Sequence, residues 1–193
     1  MKCSPIKLKK ILAQREKQTI VPTNAPFAPA AVLLPLYEKE GEYYILLTKR
    51  TQKVEHHKGQ ISFPGGARHE QDRDLMDTAL RETLEEIGVR PEDVEILGEL
   101  DNMGTLTSNF LITPFVGIIP YPYEFIINQD EIEELIEVPL SALADEKNLR
   151  EEFYVIEGTK YRASIFDYKG YVIWGATARI LKQFLDLVFL NYS

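Results

Sequence analysis

Residues 63–89 read FPGGARHEQDRDLMDTALRETLEEIGV, and their pattern changes twice. Phe63, Pro64, Gly65 and Gly66 stop a strand and let the backbone approach a neighbour closely. Asp72 and Asp74 then supply helix-start chemistry, the segment to Ile87 is helical in pattern, and Gly88 terminates it, with Pro91 just beyond. At about 100° per residue, Glu82 and Glu86 lie roughly 40° apart, and Glu85 lies about 60° to the other side of Glu82. Three carboxylates therefore share one face. The same arithmetic gathers Met76, Leu80, Leu84 and Ile87 opposite them, which predicts an apolar face turned to the core. An arbitrary acidic helix is more often a solvated face. Clustered oxygen ligands at this spacing, however, suit a hard cation such as Mg2+ or Mn2+, which takes further ligands from phosphate oxygens.

Upstream, AAVLLPLYEKEGEYYILLTKR from Ala30 to Arg50 holds two apolar runs around a Lys39–Gly41 turn and predicts a β-hairpin. The polar stretch 51–66 reads as a long loop feeding a site. Residues 5–18 suit a short amphipathic helix opened by Pro5, with apolar Ile6, Leu8, Ile11 and Leu12, and are expected to form an N-terminal appendage. The organisation expected is an N-terminal helix and linker over 1–30 and one main domain over 31–193. Strand-like runs at Val94–Leu100 and Phe110–Ile119 precede an acidic segment, Asp130–Glu137. A hairpin is predicted over Tyr161–Ile173 around Lys169 and Gly170, and an apolar helix over Trp174–Leu190.

The chain has 193 residues, 45% of them hydrophobic and 27% charged, enough for one proper core and short for two domains. Its formal net charge of −8 argues against nucleic acid as a main partner, since binding a phosphate backbone needs clustered cations. A small anionic substrate remains compatible, because bound divalent cations reverse the local field. The single cysteine, Cys3, allows no intrachain disulfide, and no apolar run suits a signal peptide or a membrane span. The expectation is a cytoplasmic protein, with the last helix serving as core or as a homodimer surface. Aromatic Phe166, Tyr171 and Trp174 are read as core rather than as a stacking set.

RETLEEIGV from Arg81 to Val89 resembles the second half of the Nudix box, REUXEEXGU with U aliphatic; Thr83 at the first U departs from it. At roughly 7% usage per fixed letter, such a match arises by chance on the order of once in a million windows, so the signal is specific. The box also asks for a glutamate eight positions before the arginine, where this chain has Arg73. An insertion thus shifts the front half. Gly65 and Gly66 stand as the family glycines, and Glu70, Asp72 or Asp74 is left to supply the acid that orients Arg81.

LLTKRTQKVEHHKGQISFPGG from Leu46 to Gly66 resembles the extra motif of the coenzyme A diphosphatase branch. Leu46, Leu47, Thr48, Arg50, Gly59, Phe63, Pro64, Gly65 and Gly66 match at the right spacing. Thr51 replaces a small residue and Glu55 stands where the motif has arginine, so His56, His57 and Lys58 beside it are candidates for the missing positive charge. The resemblance extends over roughly residues 31 to 185. It implies an α/β fold, the Nudix α/β/α sandwich with a mixed sheet between helices. It further implies Mg2+- or Mn2+-dependent hydrolysis of coenzyme A to 3′,5′-ADP and 4′-phosphopantetheine. On this reading Glu82, Glu85 and Glu86 hold metal, and Arg81, Glu82, Glu85 and Glu131 serve the catalytic step, Glu131 as a further ligand or general base. Arg50, His57, Lys58, Gly65 and Gly66 meet substrate. The alternatives are a Nudix enzyme for another diphosphate, such as ADP-ribose, NADH or a nucleoside triphosphate, which Glu55 favours, and a ligand-sensing module without turnover.

Overall fold

The computed structural model describes residues 4–21, 26–53, 58–105, 108–156 and 159–190. In chain order the elements are α1 (Pro5–Gln14), β1 (Thr19–Ile20), β2 (Ala28–Lys39), β3 (Glu42–Arg50), β4 (Ile61–Ser62), β5 (Gly65–Ala67), α2 (Leu75–Ile87), β6 (Glu95–Glu99), β7 (Asn102–Gly104), β8 (Phe110–Ile118), β9 (Ile132–Pro139), α3 (Leu140–Ala144), β10 (Leu149–Ile156), β11 (Thr159–Tyr168), β12 (Tyr171–Ile173) and α4 (Gly175–Leu190).

The expected hairpin is present: β2 and β3 pair antiparallel from Leu36↔Ile45 to Lys39↔Glu42, with Glu40 and Gly41 both at positive φ in the turn. The two strands then diverge. Into the gap comes the FPGG segment, with β5 pairing Ala30–Val32 of β2 and β4 pairing Thr48 and Lys49 of β3. Parallel β8 lies along the other side of β2, and antiparallel β9 along the other side of β3. The main sheet is therefore mixed. A second, smaller sheet runs β10-β11-β12, its last hairpin turning at Lys169 and Gly170 as the sequence predicts.

Alternation along β2 places helices on both faces of the main sheet. Ala31 and Leu33 face Ala79 of α2, whereas Leu34 and Leu36 join the largest core cluster with Leu8 and Leu12 of α1 and Ala178, Leu181 and Phe184 of α4. This is the expected α/β/α arrangement. Among the described residues, no helix is long and apolar enough to cross a membrane.

Three local expectations are corrected. First, of the apolar set Met76, Leu80, Leu84 and Ile87 only Ile87 is fully buried: Met76 and Leu84 are exposed, Leu80 is half-buried, and Thr78, Ala79, Thr83 and Glu86 join Ile87 on the buried side. Small side chains let α2 lie close over Ala31 and Leu33, and the fully buried Thr83 satisfies its hydroxyl by donating to the Ala79 carbonyl at 2.6 Å. Second, α1 is no appendage, because Leu8 and Leu12 are buried in the main core while Ile6 is exposed. Third, β10 extends the hairpin of 161–173 into three strands by pairing from Leu149↔Phe166 to Ile156↔Thr159.

Candidate active site

Helix α2 begins and ends as its sequence dictates. Asp74 caps it by accepting from the Asp77 N–H at 2.8 Å, and Gly88, at φ 74, closes it with its N–H on the Leu84 carbonyl. The helix thereby holds Arg81, Glu82, Glu85 and Glu86 over the gap where β2 and β3 part. Burial grades the three glutamates: Glu86 keeps 2% of its side-chain exposure, Glu82 14% and Glu85 52%.

Two arginines organise them. The Arg81 Nε and Nη2 donate to the two oxygens of Asp72 at 2.8 and 3.1 Å, while its Nη1 donates to Glu82 at 2.9 Å and to Glu85 at 3.0 Å. Of Glu70, Asp72 and Asp74, it is Asp72 that orients Arg81. Asp72 is itself buried, and it accepts from the His69 N–H and the Thr78 hydroxyl, each at 2.8 Å. Those donors, Arg81 above all, hold the Asp72 carboxyl well below the usual carboxylate range, and Asp72 in turn raises the Arg81 guanidinium. Asp74 is the helix cap, and Glu70 is exposed.

Arg50, at the end of β3, donates to Glu86 at 3.0 Å, and its other terminal nitrogen lies 3.5 Å from Glu131. The Gly65 N–H donates to the second oxygen of Glu86 at 3.3 Å. Even so, burial pushes the Glu86 carboxyl up to about 8, against the pull of Arg50 and Gly65, with Glu82 and Glu131 adding to the rise. Burial likewise raises Glu82, against the pull of Arg81. The site thus gathers more negative charge than its cations offset.

The glycines are required sterically. At Gly66 a Cβ would stand 2.6 Å from the Glu82 carboxylate, so that side chain abuts bare backbone. At Gly65, φ is 151°, and a Cβ would drive into the Ala31 carbonyl and Val32.

The expected site residues fall into two linked groups. Arg50, Gly65, Glu86 and Glu131 come together, as do Gly66, Arg81, Glu82 and Glu85. Lys58 is exposed in the turn before Gly59. Backbone bonds from Arg50 N–H to the Gln60 carbonyl and from Gly59 N–H to the Arg50 carbonyl tie the loop base beside Arg50. His57, with Glu55 and His56, lies outside the described residues. Asn128 went unread in the sequence: its side-chain amide donates to Glu131 at 3.3 Å and its backbone N–H to the Glu86 carbonyl at 2.9 Å. Its signal was weak, one polar residue before an acidic run. Among the described residues no three acidic side chains converge as they stand, because guanidinium nitrogens sit between them.

Comparison with known proteins places this geometry. A family model described as the NUDIX domain matches residues 26–156. The chain is 37% identical over 158 residues to a Pectobacterium atrosepticum protein named uncharacterized Nudix hydrolase NudL, covering 80% of this chain and 79% of that one. It is 39% identical over 160 residues to Nudix hydrolase 15, mitochondrial, of Arabidopsis thaliana, covering 79% of this chain and 55% of that one. Among solved structures, the C. elegans Ap4A hydrolase binary complex shares the fold with a TM-score of 0.50 at 18% identity, over 60% of this chain and 82% of that one. The chain belongs to the Nudix hydrolase family, whose members act on small-molecule diphosphates.

Proposed function

We propose that this chain hydrolyses the diphosphate bond of coenzyme A or its derivatives, releasing 3′,5′-ADP and 4′-phosphopantetheine, with Mg2+ or Mn2+. One observation carries the reading. The stretch from Leu46 to Gly66 that resembles the coenzyme A diphosphatase motif supplies Arg50, Gly65 and Gly66 to the wall around Glu82 and Glu86.

A divalent cation fits the residues present. The donors are all carboxylate oxygens, and Glu86 is buried in excess negative charge that a cation would offset. Glu82, Glu85 and Glu86 would hold it, exchanging hydrogen bonds from the arginines for ligation. When bound, it would neutralise the diphosphate and acidify water. The protein's own groups do the rest. Asp72 fixes Arg81, which orients Glu82 and Glu85. The Gly65 N–H and Arg50 orient Glu86, and Arg50 also presents a guanidinium to substrate phosphate. Glu131, aimed by Asn128 and half exposed, is placed to accept the proton of an attacking water.

Glu55 favours a second reading, a nucleoside diphosphate derivative other than coenzyme A. Side-by-side kcat/KM values for coenzyme A, ADP-ribose, NADH and nucleoside triphosphates separate the two. Coenzyme A should lead, and preference for another substrate by tenfold or more would replace it.

A further inference from the structure

Thr51, where the stretch 46–66 carries a larger residue than the motif it resembles, lies just past the end of β3 and is buried. The β3–β9 ladder shifts register between Lys49 and Arg50 and ends at Arg50↔Ile132. Beyond that pair, one residue continues the attachment. The Thr51 N–H donates to the Glu131 main-chain carbonyl at 2.8 Å, and the Thr51 hydroxyl donates to the Asp130 main-chain carbonyl at 3.0 Å. The same hydroxyl accepts from the Lys53 N–H at 3.3 Å. A single buried oxygen thus stands at the junction of the loop after β3 and the turn before β9.

That turn is held at its other end by α2. The Ile126 and Asn128 N–H groups donate to the Ile87 and Glu86 carbonyls at 3.1 and 2.9 Å, and the Glu131 and Ile132 N–H groups return to the Asn128 carbonyl at 3.0 and 2.8 Å. Residues 126–131 therefore bridge the end of the helix that carries Glu86 and the end of the strand that carries Arg50. The Glu131 carboxylate itself is held loosely. Its partners are the Asn128 amide at 3.3 Å and Arg50 at 3.5 Å, and it shares the Arg50 guanidinium with Glu86, whose like charge repels it. Side-chain contacts of that length fix a carboxylate weakly, so its place is set by the backbone beneath it. On the β3 side, Thr51 fixes that backbone. The ion pair between Lys53 and Asp130 spans the same junction at 3.6 Å, but both side chains are largely exposed, so solvent screening leaves it little hold.

The geometry points to Thr51 as a positioning residue for Glu131: its hydroxyl locks the turn 128–131 at the distance from Arg50 and Glu86 from which Glu131 takes the proton of the attacking water. This rests on the role given to Glu131 in the proposed function, and extends it to a residue outside the carboxylate cluster. It requires a diphosphate substrate but no particular one.

The test is a double-mutant cycle in the full chain with Mg2+, on whichever of coenzyme A, ADP-ribose, NADH and nucleoside triphosphates the wild type turns over fastest. Thr51→Val keeps the shape and removes the hydroxyl, and should lower kcat by about tenfold through displacement of Glu131 while changing KM by less than about twofold. Thr51→Ala removes the hydroxyl without a branched side chain and should match it. Thr51→Ser keeps the hydroxyl and should stay within about twofold of the wild type, with thermal midpoints checking that each variant folds. In a Glu131→Gln background Thr51→Val should cost less than about twofold, because a residue acting through Glu131 has nothing left to position, whereas a structural defect lowers both backgrounds alike. Wild-type kcat in Thr51→Val and Thr51→Ala, equal losses in the two backgrounds, or loss of activity in Thr51→Ser overturns the positioning role and leaves the substrate reading standing. Wild-type kcat in Glu131→Gln overturns the positioning role together with the role of Glu131. Preference for a diphosphate other than coenzyme A overturns the coenzyme A reading alone, with the cycle read on that substrate, and no turnover of any of the four overturns both.

Discussion

Replacing Asp72 with alanine probes the residue on which the Arg81 geometry depends. The substitution removes the bidentate partner of a guanidinium with 21% side-chain exposure and the acceptor of the His69 N–H, and it leaves the buried Thr78 hydroxyl only the Asp74 carbonyl at 3.2 Å. Breaking a buried ion pair from one side costs about 3–5 kcal/mol, and the lower end applies because Arg81 keeps some contact with water and with Glu82. For a chain of this length about 3 kcal/mol lowers Tm by roughly 10 °C. Asp72→Asn keeps the shape and part of the hydrogen bonding, so its loss should be smaller. pH separates charge from shape. The Asp72 carboxyl is depressed in the folded state, so its stabilisation is complete above the ordinary aspartate value near ~4 and is lost as pH falls through the folded value. Denaturant melts between pH 2 and 7 should therefore show a weaker acid dependence in Asp72→Asn than in the wild type. Equal Tm values for Asp72→Ala and the wild type, or parallel acid limbs for Asp72→Asn and the wild type, would refute the reasoning.

Three further outcomes are expected. Glu82→Gln and Glu86→Gln should each leave the fold intact and abolish Mg2+-dependent turnover, and Glu86→Gln should also raise Tm in chelator increasingly as pH rises toward 8, because it removes a carboxyl whose ionised form the fold disfavours; normal activity in either variant sinks the site assignment. Gly66→Ala should cut kcat by on the order of 10²-fold through displacement of Glu82, with stability changed by less than about 1 kcal/mol because only the end of a side chain must move; an unchanged rate would show that the contact is idle. The metal-free Glu86 carboxyl sits at about 8 and must ionise to serve as a ligand, so apparent Mg2+ affinity should tighten as pH rises from 6 to 9; flat affinity over that range contradicts the role given to Glu86.

What the sequence disclosed, and what it withheld, follow from the range of the interactions. The Lys39–Gly41 turn, the Asp74 cap and the Gly88 terminator are local signals, and each element they bound is in place. The glutamate face of α2 follows from helical spacing alone. Hydrophobicity alone does not choose its buried side: close contact with Ala31 and Leu33 selects Thr78, Ala79 and Thr83 beside Ile87 and leaves Met76 and Leu84 exposed. Choosing Asp72 over Glu70 or Asp74 needed the turn in which the Asp72 carboxylate accepts the His69 N–H, which no spacing rule encodes once an insertion shifts the box. The burial of Leu8 and Leu12 depends on α4, distant in sequence, so a local reading left α1 outside the core.

The central claim is tested most directly by incubating coenzyme A with the wild-type chain and with Glu82→Gln, with Mg2+ or with chelator, and identifying the products by mass. The account predicts equal amounts of 3′,5′-ADP and 4′-phosphopantetheine from the wild type with Mg2+ and neither product in the other three samples. Intact coenzyme A under all four conditions, or product formation by Glu82→Gln at the wild-type rate, would contradict it.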